Sequence, residues 1–592
     1  MVKCLEFDIN NGASYSYLSL SEELEETQVA VITISPDQIT KRKRKGPKGH
    51  AIDLKALEEV QNLLANESRQ RDLLIEHLHK IQDQYQHISS KHLVALAHEM
   101  KLSPAEVYEV ASFYHHFDVT KEGQTPPPAL TVRVCESLSC AMAGSNDLID
   151  ALESGLNSSE VRVQKVPCVG RCQHAPVAVV GQNPIDEATT QSVTKAVDNK
   201  EITAAVTDYI SHKAYLADNG YQTLKGVLDG SIETESIIKK MEDSGLRGLG
   251  GAGFPAGRKW RIVSSFEGPR LMAVNIDEGE PGTFKDRHYL ESDPHRFLEG
   301  MLIAALTVGC EEIYIYLRDE YAGCREILTT ELANLRAQFP TEIPPIHLRR
   351  GAGAYICGEE SAMVESIEGK RGMPRLRPPF LAEVGLFGRP TLEHNMESVY
   401  WVRDIVEKGP DWFASYGRHE RKGLRSFSIS GRVNKPGVHL APAGITMREL
   451  IAEYCGGMQD GHEFYGYFPG GASGGILPES MADIPMDFDT LNEHGCFIGS
   501  AAVVVFSNQD SAKELAINAM KFFEEESCGQ CVPCRVGTAK AAMLMEEKQC
   551  DTDLMEELSS VMVDASICGL GQAAPNPLRC AIKYFPQEIT GK

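Results

Sequence analysis

The sequence predicts a multidomain α/β protein made of a helical unit, two α/β domains, a small β-rich domain and a C-terminal helical bundle. Three observations support this fold class. Apolar residues recur at helical spacing before Pro126 and again after Ser511. Short alternating runs, separated by helical stretches, fill much of the chain between those points. The 592 residues exceed what one hydrophobic core usually supports, so several domains are expected.

The first elements are an extension and a helical domain. Residues 1–48 have weak periodicity and are predicted to form an irregular N-terminal extension. Residues 49–128 are predicted to be helical, since Leu74 and Leu78 belong to one apolar stripe. The segment SPAE at 103–106 has a capping residue, a proline at the first helical position and an acid in the first turn, so it predicts a helix start.

Strands and helices then alternate through two α/β units. The smaller unit has predicted strands at 130–134, 161–166 and 176–180, and the larger has strands at 270–275 and 313–317. The predicted boundaries are 129–212 and 245–415 for the α/β domains, 213–244 for a helical connector, 416–508 for the β-rich domain and 509–592 for the helical bundle.

Composition restricts the function classes. The net charge is −24, which argues against a nucleic-acid binder. The basic run at 41–45, KRKRK, is interpreted as a solvated arm, with a nucleic-acid patch or docking onto an acidic partner left open. No signal peptide and no apolar run of about 20 residues is visible. We therefore expect a cytoplasmic protein without direct membrane insertion, in which the sixteen cysteines include metal ligands.

The first cysteine set is Cys135-x4-Cys140 followed by Cys168-x3-Cys172. Each pair is predicted to lie in a loop just after a strand. Four thiolates from two loops can enclose a small metal centre, and spacers of this width favour the two irons of a [2Fe–2S] cluster. Zinc stays open as the alternative, although zinc sites usually have two-residue spacers.

The second cysteine set is Cys528-x2-Cys531-x2-Cys534 with a distant Cys568. Three thiolates at three-residue steps and a remote fourth indicate a [4Fe–4S] cluster, with zinc again as the alternative. Pro533 is predicted to keep this loop from becoming a regular helix. The other cysteines show no pairing in the sequence and are interpreted as ordinary core or surface residues: Cys4, Cys310, Cys324, Cys357, Cys455, Cys496, Cys550 and Cys580.

A glycine-rich stretch suggests a phosphate or ring site. Residues 248–253 match G-x-G-x-x-G through Gly248, Gly250, Gly251 and Gly253. A helical pattern precedes the motif where the dinucleotide fingerprint requires a strand, so that fold is disfavoured. Its glycines still let backbone amides approach a phosphate or a flat ring. A purely structural turn stays open.

Two acidic loops follow. Asp277, Glu278 and Glu280 form a costly cluster unless they accept hydrogen bonds, and a flavin, ribose or nicotinamide would supply donors. Metal binding is the alternative, although the cluster contains no histidine. The second loop, 351–361, combines glycines with Glu359 and Glu360 and precedes basic residues that suit a nucleotide. A chain with a nucleotide site and iron–sulfur clusters needs a flavin, because nicotinamides transfer two electrons and clusters one.

These motifs resemble known subunits. Residues 245–260, 275–287, 351–372, 526–538 and 566–572 closely resemble the flavin subunit of respiratory complex I, and 53–210 resemble its [2Fe–2S] subunit. The resemblance implies a thioredoxin-like [2Fe–2S] domain, a Rossmann-like α/β domain for FMN and NAD, a small β-grasp-like domain and a helical bundle with [4Fe–4S].

The fusion of both parts with all four cysteines of the first set looks most like the beta (diaphorase) subunit of cytosolic NAD-dependent molybdenum or tungsten formate dehydrogenase. That resemblance implies as partner an alpha subunit carrying a molybdopterin or tungstopterin and iron–sulfur clusters. It also implies electron flow from formate oxidation through the clusters to FMN and on to NAD⁺. The alternatives are the equivalent subunit of an NAD-reducing hydrogenase or of complex I, and, in a different class, a zinc-stabilised assembly scaffold.

The resemblance also implies site residues. No side chain acts as a catalytic acid or base, because FMN carries the chemistry. Predicted FMN contacts are Gly248, Gly250, Lys259, Asn275, Asp277, Tyr355, Gly358, Glu359 and Asn395. Predicted NAD(H) contacts are the stacking rings Phe254 and Phe380 and the carboxylates Glu280 and Glu360. Leu249 and His394 depart from the family pattern, which often has Arg and Asn there, so flavin contacts at these two positions are in doubt.

Overall fold

The computed structural model describes residues 51–548 and 550–590. The predicted extension 1–48, with its basic run and Cys4, lies outside the described residues. In the part that is described, the fold is the expected multidomain α/β arrangement. No helix there is both long and apolar enough to cross a membrane.

The first helical region contains four α-helices, α1 to α4, and a short parallel pairing of strands β1 and β2. As predicted, the proline-containing start is a capping box: Ser103 Oγ accepts from the Glu106 N–H at 3.2 Å, and Glu106 Oε2 accepts from the Ser103 N–H at 3.0 Å. The bounds are Leu54–Leu64, Leu74–Tyr85, Ser90–Met100 and Pro104–Ala111 for the helices, and Ile88–Ser89 and Val119–Thr120 for the strands.

A small four-stranded sheet follows, in the order β4-β3-β5-β6. β3 and β4 are parallel, and β5 is antiparallel to both β3 and β6. Helices α5 to α7 accompany the sheet, and α8 to α10 connect it to the next region. The bounds are Leu130–Cys135, Val161–Val166, Ala178–Val180 and Asn183–Ile185 for β3 to β6, Leu138–Met142, Ser145–Gly155 and Thr190–Asp198 for α5 to α7, and His212–Ala217, Gln222–Leu228 and Thr234–Asp243 for α8 to α10.

The large α/β region has a fully parallel sheet in the order β10-β7-β8-β9. The chain runs from β7 to β8 and β9 on one side, while β10 lies on the other side of β7. This reversal is a switch point, where the carboxyl ends of parallel strands usually bind ligands. The strands are Arg270–Ile276, Cys310–Leu317, Ile346–Arg350 and Thr391–Asn395, and helices α11 to α18 are Ala256–Ser264, Lys285–Ser292, Pro294–Val308, Ala322–Gln338, Glu360–Ile367, Met396–Tyr400, Val402–Lys408 and Pro410–Ala414.

The β-rich region is a mixed five-stranded sheet in the order β12-β11-β15-β13-β14, with one helix, α19, at Met447–Glu453. β15 is buried on both faces throughout, as expected for an apolar run at the centre of a sheet. This strand begins at Ala502, because Gly499 and Ala501 just before it have positive φ and form a turn. The strands are Leu424–Gly431, Gly437–Pro442, Phe464–Phe468, Leu477–Pro478 and Ala502–Ser507.

The C-terminal bundle contains helices α20 to α25. The predicted apolar face is buried: Leu515, Ala519, Met520 and Phe523 point inward from α20. The bounds are Ala512–Glu525, Val532–Met545, Thr552–Ala565, Gly569–Ala573, Asn576–Tyr584 and Pro586–Thr590.

Candidate functional site

The predicted site residues Asn275, Asp277 and Asn395 meet at the switch point. Asn395, the last residue of β10, lies opposite Asn275 near the end of β7. Asn275 Nδ2 donates to the Gly358 carbonyl at 2.9 Å, and its Oδ1 accepts from the Asp277 N–H at 3.0 Å. The second glycine loop is thus fixed to the same sheet edge.

Asp277 has an unsatisfied carboxylate oxygen at this edge. Oδ2 is buried and has no hydrogen-bond partner among the described residues. Burial raises the pKa of Asp277 well above its ordinary value, against the opposing effect of Arg318. A buried acceptor without a donor is costly, so this oxygen fits a ligand that brings an N–H group, as a flavin ring does.

The first glycine loop lies against Asn395. A Cβ at Gly250 would stand 2.8 Å from the Asn395 Cβ, so the backbone approaches more closely than any other residue would allow. Gly253 has φ +65°, and a Cβ there would meet Phe488 at 2.6 Å. The loop follows helix α10 and precedes α11, which confirms that it is not the strand-first dinucleotide fingerprint.

Two amides of this loop are held by the chain itself. The Gly248 N–H donates to the Phe254 carbonyl at 2.8 Å, and the Leu249 N–H donates to Ser398 Oγ at 2.8 Å. The backbone amides that can approach a phosphate or a flat ring are therefore those from Gly250 to Gly253 only. The Leu249 side chain is buried, so it packs inward where the family often has a charged Arg.

The other departure from the family pattern, His394, is also buried. Trp260 Nε1 donates to His394 Nε2 at 2.7 Å. Burial, assisted by Lys259, holds the pKa of His394 well below its ordinary value, so the ring is neutral and accepts this bond. The His394 side chain is thereby engaged with α11.

In the acidic loop, Glu278 accepts hydrogen bonds from the protein itself. Both oxygens of Glu278 accept from the chain: Oε1 from the Asp286 N–H at 2.9 Å, and Oε2 from the Arg287 N–H at 3.2 Å and Tyr321 at 2.8 Å. Burial raises the pKa of Glu278 to about 7. This carboxylate therefore braces the loop, and its contact with a cofactor stays a prediction.

Glu280 and Tyr355 form one hydrogen-bonded pair, in which the Tyr355 hydroxyl donates to Glu280 Oε2. Glu280 Oε1 also accepts from the Ser473 N–H at 2.7 Å, which ties the acidic loop to the β-rich region. The Tyr355 N–H in turn donates to Glu526 Oε2 at 2.9 Å. The sequence analysis did not predict Glu526 as a site residue, although Glu526 is the first residue of the segment 526–538 that contains three cysteines of the second set.

Glu359 and Glu360 share one partner, Arg377. Glu359 caps α15 by accepting from the Ser361 and Ala362 N–H groups at 3.1 and 2.9 Å, and its other oxygen accepts from Arg377. Glu360 lies 3.0 Å from Arg377. Arg377, one of the basic residues expected to suit a nucleotide, is thus paired with these two acids.

Of the three remaining predicted contacts, Lys259 is bonded within the protein, whereas Phe254 and Phe380 are exposed. Lys259 Nζ donates to the carbonyl and carboxylate of Glu393, each at 3.0 Å. Phe254 and Phe380 are 39% and 57% exposed, which is unusual for large aromatic rings and leaves them free to stack on a planar ligand.

The second cysteine set surrounds one small cavity. Cys528, Cys531, Cys534 and Cys568 all line this cavity together with Ile356. Burial raises the pKa of Cys534 to about 11 and that of Cys568 to about 12, so thiolates there need a cationic centre. This donor set fits a cluster of iron ions.

The expectation for Pro533 was wrong. Pro533 lies in the first turn of α21 and Cys531 is its N-cap residue, so Cys534 is helical. A proline at the start of a helix loses no hydrogen bond, because the first N–H groups have no intrahelical partner. Cys568 is likewise the N-cap residue of α23.

The first cysteine set is buried beside β3. Cys135, Cys140, Cys168 and Cys172 are all buried, and the sulfurs of Cys168 and Cys172 are 3.2 Å apart. Cys135 ends β3 and Cys140 lies in helix α5, which corrects the expectation of two loops.

Two of the unassigned cysteines lie close together. Cys496 and Cys580 are buried free thiols, as expected of core residues, and their sulfurs lie 3.5 Å apart in the contact between the β-rich region and α24. The two residues are 84 positions apart, so no local spacing could reveal the pair.

Comparison with known families gives three matches along the chain. Residues 60–201 match the thioredoxin-like [2Fe–2S] ferredoxin family, 241–404 the Nuo51 FMN-binding domain, and 514–592 the NADH-ubiquinone oxidoreductase-F iron–sulfur binding region. These matches show that the chain has FMN-binding, [2Fe–2S] and [4Fe–4S] domains.

Individual proteins are also similar. The second F-type subunit of NADH-quinone oxidoreductase from Rhizobium meliloti is 40% identical over 390 residues, covering 63% of this chain and 92% of the relative. The mitochondrial NADH dehydrogenase [ubiquinone] flavoprotein 1 of Dictyostelium discoideum is 39% identical over 404 residues, covering 64% of this chain and 84% of the relative. A chain from the crystal structure of an NAD⁺-reducing [NiFe]-hydrogenase in the H2-reduced state has a TM-score of 0.78 at 29% identity, covering 88% of this chain and 94% of that one.

Proposed function

We propose, from the premise that this chain belongs to the family of NADH-quinone oxidoreductase F-type subunits, that it passes electrons between NAD(H) and a partner subunit. The supporting observation is the position of the second glycine loop. Tyr355 and Gly358 of this loop face the switch-point edge through Glu280 and Asn275, while the adjacent Ile356 lines the cavity of the second cysteine set. One short segment therefore joins a flavin site to a cluster site.

At the flavin site, each residue has a distinct role. Gly250 to Gly253 let the backbone approach a flat ring, and the open Asp277 oxygen accepts an N–H bond from it. Bound FMN supplies the exchange between two-electron hydride transfer and one-electron transfer, which no side chain provides. Asn275 holds the Gly358 carbonyl and so keeps both loops at a fixed separation.

At the nucleotide site, Phe254 and Phe380 are the stacking surfaces for the rings of NAD(H). Glu280 and Glu360 accept from its polar groups, and Tyr355 restrains Glu280 by a hydrogen bond. Cys528, Cys531, Cys534 and Cys568 hold [4Fe–4S], and Cys135, Cys140, Cys168 and Cys172 hold [2Fe–2S].

The cheapest test is purification without oxygen. We expect a yellow-brown protein that releases FMN on denaturation and reduces an artificial dye with NADH. A colourless, zinc-containing protein without NADH-dependent dye reduction would favour the scaffold alternative.

For the complex in which the chain works, we propose a cytoplasmic NAD-dependent formate dehydrogenase, with a molybdopterin- or tungstopterin-containing alpha subunit as electron donor. The support is the fusion of the two parts in one chain with all four cysteines of the first set present. The NAD⁺-reducing hydrogenase is the second candidate, because its solved chain covers the fused architecture. Metal analysis of the co-purified complex separates them: molybdenum or tungsten with formate-dependent NAD⁺ reduction supports the first, and nickel the second.

A further inference from the structure

Lys285, the first residue of α12, is buried almost completely beneath the switch-point edge. Its side chain is 1% exposed. Nζ donates to Asp286 Oδ1 at 2.7 Å and to Asn395 Oδ1 at 3.1 Å, and lies 3.2 Å from Glu397 Oε2. Burying an ammonium group is costly even when it is paired, so a buried ion pair is weak support for stability alone.

The Asn395 side chain uses all of its hydrogen-bonding positions within the protein. Its Oδ1 accepts from Lys285 and from the Glu397 N–H at 3.1 Å. Its Nδ2 donates to Asp286 Oδ2 at 2.7 Å and, more weakly, to the Asn275 carbonyl at 3.4 Å. An amide has two donors and two acceptor positions, so Asn395 keeps none free for a ligand.

Asn395 instead acts as a fixed support. The first glycine loop lies directly on it, since a Cβ at Gly250 would stand 2.8 Å from the Asn395 Cβ. Any movement of Asn395 therefore moves the part of the loop that approaches the flavin.

We propose that Lys285 and Asp286 are positioning residues for FMN, which hold Asn395 in place and bias the flavin's reduction potential in opposite directions. The inference rests on the proposed flavin site. Reduction adds negative charge to a flavin, so a nearby buried cation favours the reduced form and a nearby buried carboxylate disfavours it. Low dielectric makes both effects larger than they would be in water.

The sign of the potential separates this role from a merely structural one. Lys285→Met removes a positive charge, so the midpoint potential of bound FMN falls. Asp286→Asn removes a negative charge, so the potential rises. If the two residues only stabilised the fold, both variants would weaken the protein without moving the potential in opposite directions.

The experiment uses the full-length flavin-loaded protein. FMN release is followed by flavin fluorescence, the potential by spectroelectrochemical titration, and folding by thermal denaturation. Each variant is expected to bind FMN about tenfold more weakly, since each loses hydrogen bonds to a charged group. The matched control is Glu331→Gln, a buried carboxylate on α14 bonded to Tyr209 and Asn334, which should leave the potential unchanged.

Each outcome has a defined meaning. Opposite shifts of the potential, with the Lys285→Met/Asp286→Asn double variant near wild type, support the proposal. If Lys285→Met does not fold, Asp286→Asn alone still decides, because a wild-type or lowered potential overturns the proposal. Wild-type protein that binds no FMN would instead refute the proposed function.

Discussion

Gly250→Ala tests whether the first glycine loop is fixed by contact with Asn395. Gly250 does not have positive φ, so alanine brings no backbone strain, and the new Cβ itself is the perturbation. At 2.8 Å from the Asn395 Cβ it would be well inside ordinary contact, and the loop must shift. Overpacking of this kind costs about 1–3 kcal/mol. If this energy is lost from FMN binding because the loop shifts away from the flavin, FMN binds about 5- to 150-fold more weakly.

The assay is FMN affinity of the flavin-depleted protein, with two comparisons. Gly248→Ala lies in the same loop, but its Cβ would be 3.6 Å from the nearest atom, the Phe254 carbonyl, so its effect should be clearly smaller. In Asn395→Gly protein the clashing atom is gone, and Gly250→Ala should then cost about 1 kcal/mol less than in wild type. Equal losses for both alanine variants, or no coupling with Asn395, would refute the reasoning.

Three other variants follow from the described contacts. Cys568→Ser should abolish the [4Fe–4S] electron paramagnetic resonance signal while FMN content stays near wild type; loss of both together would contradict separate sites. Trp260→Phe should destabilise the fold by about 1–3 kcal/mol in chemical denaturation, because the neutral His394 loses its donor; an unchanged midpoint would argue against that bond. Burial raises the Asp277 pKa, so the apoprotein should lose stability as pH rises from the ordinary aspartate range to that raised value, and Asp277→Asn should remove this loss; identical pH profiles in thermal denaturation would count against it.

Periodicity and local signals predicted most of the fold. The strands at 130–134 and 161–166 and the capped start at Ser103 agree with the structure because each depends on neighbouring residues in the chain. The exceptions have local causes as well. Cys140 lies in a short helix, and Pro533 begins a helix, a position that proline tolerates.

The site could be predicted only in part. The glycines, acids and cysteines were visible as motifs, but their connections were not. The amide of Asn395 is held by Lys285 from 110 residues away, and Glu526 reaches the Tyr355 N–H across 171. The first contact depends on the packing of α12 against the end of β10, and the second on the packing of the second glycine loop against the C-terminal bundle. No local pattern encodes either.

The most direct test of the central claim is reduction of the anaerobic chain by NADH, followed by flavin absorbance and by electron paramagnetic resonance. Because the second glycine loop borders both the flavin edge and the cysteine cavity, we predict that NADH bleaches the flavin and then produces a reduced cluster signal. Folded, cofactor-loaded protein in which NADH changes neither signal would contradict the account.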